Sequence, residues 1–105
     1  MNIESNVPVR IEGEKATVFA GDYINKLSGE KIERECQRQL NAGCKTLIVD
    51  FSRTEIVNSI GVSILLGVID AASNAGAKVV FSDINDDTCE LFDTLGLTSH
   101  VTVQN

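Results

Sequence analysis

The stretch from Leu47 to Gly67 reads LIVDFSRTEIVNSIGVSILLG. It opens inside a nearly continuous apolar run, Thr46-Leu47-Ile48-Val49-Asp50-Phe51. Such a run suits a central strand buried on both faces of a sheet. A polar segment, Ser52 to Asn58, follows, and Asn58-Ser59-x-Gly61 opens a helix running from about Ile60 to Asn74, with Gly76 as its stop. A buried strand that leads through a polar loop into a helix is the first half of a βαβ crossover, and it predicts a largely parallel sheet.

The rest of the chain agrees with this reading. Upstream, Val7–Ile11 and Lys15–Ala20 are short β-branched and apolar runs around Gly13-Glu14, which predicts a hairpin;. Gly21-Asp22 ends the second strand. From about Leu27 to Leu40, Ile32, Cys36 and Leu40 recur every four residues, with Glu33, Arg34, Glu35, Gln37 and Arg38 on the other faces;. Ser28 or Asn25 can cap this helix, and Asn41-Ala42-Gly43 ends it;.

Downstream, Lys78–Ser82 is the next strand. Asn85 caps a short helix with Asp86 and Asp87 in its first turn, an apolar stripe of Thr88, Leu91, Phe92 and Leu95, and Gly96 at its end;. His100–Val103 is expected as an edge strand. The order is β-β-α-β-α-β-α-β, an α/β domain whose mixed, mostly parallel sheet carries its helices mainly on one face. No linker or repeat divides it, so residues 1–105 read as one domain with a core from about Val7 to Val103.

At about 100° per residue, Ile60, Ile64, Leu65, Val68, Ala71, Ala72 and Ala75 fall in one arc of about 140° that should pack on the sheet. Val62, Leu66 and Ile69 form a second arc, which is either core beneath the neighbouring helix or a patch for a partner beside Ser59;. Ser63, Asp70 and Asn74 make the polar strip. Asn58 and Ser59 are good N-caps, and on spacing alone capping explains them. A helix N-terminus also tolerates a phosphoryl group, because its amides are unpaired and carry partial positive charge.

The composition excludes several classes. There are 105 residues, with 9 Lys+Arg against 15 Asp+Glu and a net charge of −6. That balance argues against direct nucleic-acid binding, which needs a basic patch. His100 is the only histidine, so a His-rich metal centre is excluded and Ser59 has no evident base;. Neither G-x-G-x-x-G nor G-x-x-x-x-G-K-[ST] is present;. Cys36, Cys44 and Cys89 form no C-x-x-C, and buried or half-buried thiols in a reducing cytosol account for them;. A small thiol enzyme is the remaining catalytic reading. The polar start Met1-Asn2-Ile3-Glu4-Ser5 does not read as a secretory signal;. The apolar stretch from Ile60 to Ala72 is well under the ~20 residues that span a bilayer. The expectation is therefore a cytoplasmic protein with no cofactor, no metal and no membrane insertion.

Three features together resemble a known family: the element order, Val57-Asn58-Ser59-Ile60-Gly61-Val62, and the tail from Ala75-Gly76-Ala77-Lys78 to Leu91-Phe92-Asp93-Thr94-Leu95-Gly96-Leu97. The chain resembles a STAS domain, and more narrowly a bacterial anti-sigma factor antagonist, from about Val7 to Val103. The resemblance implies a non-enzymatic switch protein, a monomer or weak dimer. Its partner is an anti-sigma factor that is a GHKL-type serine kinase, and a metal-dependent serine phosphatase reverses the modification.

By motif position Ser59 corresponds to the phosphoacceptor and Gly61 to the motif glycine. Asn58 stands where Asp is common, and Ile60 replaces a second hydroxyl residue. The expected partner-binding set is Asn25, Asn58, Ser59, Ile60, Gly61, Val62, Ser63 and Leu66. Where the family often has Gly-Glu-Leu-Asp, this chain has Gly21-Asp22-Tyr23-Ile24-Asn25, with Ile24 at the Asp position. The alternative is a STAS scaffold that is not phosphorylated, docking within a larger signalling or lipid-transport assembly.

Overall fold

The computed structural model describes residues 7–104. Strands β1 (Val9–Glu12) and β2 (Lys15–Phe19) form an antiparallel hairpin. Gly13 takes φ +62° at the first central position of its turn, a geometry that favours glycine;. Next come β3 (Tyr23–Ile24), helix α1 (Lys26–Asn41), β4 (Thr46–Asp50), β5 (Ile56–Val57) and helix α2 (Ser59–Asn74). Then follow β6 (Lys78–Ser82), helix α3 (Asp86–Thr94), a 3-10 turn (Leu97–His100) and β7 (Thr102–Gln104).

The main sheet has the order β1-β2-β4-β6-β7, with every pair after the hairpin parallel. Strands are added in one direction from β2 onward. Right-handed crossovers then place every linking helix on the same face. By register, Ala16, Val18, Leu47, Val49, Val79 and Phe81 all point to that face and are buried. They form one core with Ile32 and Cys36 of α1, Leu65 and Val68 of α2, and Phe92 of α3.

Four expectations need correction. β4 is not buried equally on its two faces: Leu47 and Val49 are in the core, while Thr46, Ile48 and Asp50 are half-buried. Its second face looks onto Thr17 and Val80, which no described helix covers. The last strand starts at Thr102, because Leu97–His100 closes into a 3-10 turn after Gly96 at φ +83°. Glu35 is not on an outer face of α1 but 4% exposed. Its carboxylate accepts from Gln39 Nε2 at 2.9 Å and lies 3.3 Å from Arg38 Nη1, which offsets the cost of burying it;.

The fourth correction concerns α2. Its core stripe is Val62, Leu65, Val68, Ile69 and Ala72. Ile64 and Ala71 are half-buried, while Ile60, Leu66 and Ala75 are exposed. Two walls share the helix. The sheet takes Val62 and Ile69, and α1 takes Ile64, whose Cδ1 lies only 2.9 Å from where a Cβ on Gly29 would stand. Ile60 lies in the first turn, where the chain has only just entered the helix.

The end of the core nearest the helix N-termini is aromatic. Phe51 meets Phe81 and Phe92 edge-on, at centroid distances of 5.0 and 5.7 Å. Phe92→Ala should cost about 3–5 kcal/mol, as for a buried phenylalanine, measured as a drop in the denaturation midpoint. Cys36 lies in the same core, and burial, reinforced by Glu35, pushes its thiol up to about 12. Burial also raises Cys44. A thiol held protonated is the opposite of an activated nucleophile. In the folded protein, timed alkylation at pH 8 followed by mass mapping should modify Cys36 last, and in denaturant the three cysteines should react alike.

Candidate functional site

The site is built where two helices start side by side. The chain leaves β2 and pairs Tyr23↔Ile56 and Ile24↔Val57 in a parallel two-stranded ladder. Backbone bonds extend it: Glu55 N–H donates to Asp22 O at 2.8 Å, and Asn58 N–H donates to Ile24 O at 3.0 Å. Thr54, buried, donates its hydroxyl to Gly21 O at 2.7 Å and accepts Asn85 Nδ2 on its carbonyl at 3.0 Å. The segments preceding α1, α2 and α3 are thus tied together at the carboxyl ends of the strands, the end of an α/β sheet where ligands and partners usually meet it.

Each helix is capped by asparagine. Asn25 Oδ1 accepts from Ser28 N–H at 3.0 Å, while Ser28 Oγ accepts from Asn25 N–H at 3.0 Å, a closed capping box;. Ser28 Oγ also donates to Tyr23 O at 2.7 Å. At α2, Asn58 Oδ1 accepts from Gly61 N–H at 2.8 Å. Of the two candidate caps, Asn58 therefore holds the position, and Ser59 is the first residue inside the helix. Its side chain is exposed and not consumed by capping. The first-turn amides around it precede the first intrahelical bond, which leaves positive potential beside the hydroxyl.

Gly61 explains how closely these parts meet. A Cβ there would lie 2.6 Å from Ile24 O and 2.9 Å from Ile24 Cγ2. Any side chain would push α2 away from the backbone of β3. Ile24 is itself fully buried, so the position expected to match the family's Asp serves packing. The polar work at that corner falls to Asn25.

The expected partner-binding residues divide by exposure. Ser59, Ile60, Ser63 and Leu66 are exposed along α2, and Asn25 and Asn58 are half-buried caps. Val62, expected in the partner-binding set, turns into the core, and Gly61 is buried against Ile24. Their part is to set the helix in place.

Sequence reading missed three residues that the fold brings here. Tyr23 (45% exposed) and Ile56 (60%) lie opposite one another on the short ladder, and Leu27 (66%) stands in the first turn of α1. With Ile60 (49%) they put exposed apolar side chains on the segments that start α1 and α2. The available signal was a leucine out of step with the Ile32-Cys36-Leu40 stripe and an isoleucine in a segment taken for polar loop.

The acids Asp83, Asp86, Asp87, Glu90 and Asp93 are all exposed, and Asp86 and Asp87 start α3 at the same end of the sheet. Asp50 ends β4 here. Burial works to raise its carboxyl, but donation from the Ser52 hydroxyl and amide and from Ser82 outweighs that and holds it below its ordinary value. Among the described residues no group of three His, Cys, Asp or Glu is placed to hold a metal ion. A groove of about 730 Å³ lies between α1 and α2, lined by Glu33, Gln37, Gly67, Val68 and Ala71, and Ser59 does not border it. Ser59 is exposed, in a position that another protein can reach. No helix among the described residues is long and apolar enough to cross a membrane.

Known proteins share this fold. BtrV of Bordetella bronchiseptica, assigned as an anti-sigma factor antagonist, is 23% identical over 96 residues, covering 91% of this chain and 82% of its own. A Thermotoga maritima structure assigned the same role superposes with a TM-score of 0.84 at 14% identity, covering 94% and 86% of the two chains. The Bacillus cell-fate determinant SpoIIAA, solved in its phosphorylated form, superposes at 0.74 with 16% identity, covering 94% and 91%. The STAS domain family matches residues 9–105, which takes in every strand and helix described above, and the chain belongs to that family.

Proposed function

We propose that this chain is an anti-sigma factor antagonist. It binds an anti-sigma factor through the corner formed by the first turns of α1 and α2, and phosphorylation of Ser59 controls that binding. The observation that carries the reading is the exposed Ser59 hydroxyl at the start of α2, unused by the cap, on the end of the domain where Tyr23, Leu27, Ile56 and Ile60 are also exposed. Apolar side chains collected on a small surface are suited to a partner, and a hydroxyl among them can report to it. The similarity to BtrV and to phosphorylated SpoIIAA supports the same reading.

In this reading the anti-sigma factor is also the kinase, of the GHKL type. The Ser59 oxygen takes the γ-phosphoryl group of ATP, ADP leaves, and the hydroxyl proton passes to a base on the kinase. A metal-dependent phosphatase returns the serine by adding water across the ester. The added phosphate carries about −1.5 to −2 charges. It sits at a helix N-terminus, where negative charge is tolerated, so α2 stays folded. The effect is local: a charged, hydrated group stands in the middle of an apolar contact, at the end of the domain that already carries the acids of α3;.

Two outcomes are expected. Incubation with the cognate kinase and ATP should add one phosphoryl group by intact mass, and none to Ser59→Ala. In calorimetric titration Ser59→Ala should bind the anti-sigma factor as the unmodified protein does, while Ser59→Asp should bind at least about tenfold more weakly. Equal binding by both variants would refute the switch and leave a docking scaffold. Separately, Leu27→Asp and Ile60→Asp should each weaken the complex by about tenfold or more, as central apolar contacts do. Their melting temperatures should hardly move, because both side chains are exposed in the free protein;.

A further inference from the structure

We propose that two copies of this chain pair edge to edge through β1, antiparallel and centred on Ile11, joining their sheets into one. β1 is an end strand, and no described strand lies on its outer side. The phase of its hydrogen bonds follows from Phe19 N–H, which donates to Pro8 O at 3.0 Å. Hydrogen-bonded oppositions alternate along an antiparallel ladder. Arg10 and Glu12, opposite Thr17 and Lys15, therefore turn their amide groups toward β2. Val9 and Ile11 turn theirs outward, ready to bond another strand. Pro8 leaves this outer side intact, since the N–H it lacks would point inward.

The side chains select the occupant. Ile11 is 63% exposed on the edge, an unprotected apolar residue where edge strands usually place a charge;. It is flanked by Arg10 and Glu12, which share the opposite face, 3.7 Å apart and both exposed. In an antiparallel pair centred on Ile11, Ile11 faces the partner's Ile11, Arg10 faces the partner's Glu12, and Glu12 faces the partner's Arg10. The pattern Arg-Ile-Glu is complementary to itself in this register, whereas parallel pairing would set like charges opposite each other. A second copy of the chain is thus the strand that fits. The contact is short and the chain carries a net charge of −6, so the dimer is weak and depends on concentration and salt;. The two-fold axis stands perpendicular to the joined sheet. It directs the two Ser59 corners to opposite ends, so that both remain free and the dimer is bivalent.

Sedimentation equilibrium over a concentration series into the millimolar range tests this. The unmodified chain should show a reversible monomer–dimer equilibrium. Arg10→Glu and Glu12→Arg should each weaken it by about tenfold or more, since both cross-strand pairs become like-charged. An equimolar mixture of the two variants should dimerise again, as should the double variant, because each restores opposite charges across the strand. Glu12→Arg leaves the Arg10–Phe19 stacking at 5.7 Å in place, so its effect reads the edge alone. In amide exchange, Val9 and Ile11 should slow as concentration rises. The proposal is overturned by a monomer at every concentration, by a dimer indifferent to either swap, or by a mixture that stays monomeric. It is equally overturned if those amides are already protected in dilute monomer, because the chain would then be covering its own edge.

Discussion

The backbone of Ile24 is the hinge on which the Ser59 end of the molecule depends. Its carbonyl accepts the amide of Asn58 at 3.0 Å, and the same atom lies where a Cβ on Gly61 would have to go. One oxygen thereby fixes both the point where α2 begins and how closely the helix approaches β3. The parallel ladder Tyr23–Ile24 with Ile56–Val57 holds that carbonyl in place. Isolated two-residue strands contribute little by themselves. This pair persists because Ile24 is buried in the core behind it, and Thr54 ties both segments to the start of α3.

From this arrangement the division of labour among neighbouring residues follows. Asn58 and Asn25 are occupied with capping, Gly61 and Ile24 with close packing, and Val62 with the core. Ser59 and Ile60 are what remains exposed in the first turn of α2. A serine used as the cap would have its oxygen committed to a backbone amide. Moving the cap to Asn58 leaves the hydroxyl outside while keeping it in the positive field of the helix terminus. A hydroxyl so placed can take a phosphate without unfolding the helix, which suits the role proposed for Ser59.

The sheet explains the asymmetry of the rest. Right-handed crossovers in one direction place all helices on one face, so that Leu47, Val49, Val79 and Phe81 join the main core, while on the other face Val80 and Thr17 are buried outside it and Ile48 is half-buried;. The same topology leaves the hairpin strand β1 at one edge with its outward amides unpaired by any described strand. The proposed function at the Ser59 corner and the proposed association at the β1 edge therefore use different parts of one sheet and need not compete.

Local pattern was enough for much of this. Alternating strand and helix periods predicted the order of the main sheet and its helices. Asn85 was legible as a cap, and Asn25 and Asn58 as candidates beside Ser28 and Ser59, because capping depends on residues within three positions of each other. Ser59 was legible because the motif around it is contiguous. What the sequence by itself determined was thus whatever rests on short-range spacing: element types, helix starts and the run of acids after Lys78.

Tertiary structure alone decided which apolar residues are buried. Val62 and Ile60 lie two apart on one helix and both looked equally apolar, yet one faces the sheet and the other extends beyond its end. Glu35 looked like a surface residue, yet in the fold it is buried. The exposed apolar residues at the Ser59 end, Tyr23, Leu27, Ile56 and Ile60, come from two segments about thirty residues apart. Burial is a property of what packs against a residue, and those neighbours come from distant parts of the chain, so no local period can report them.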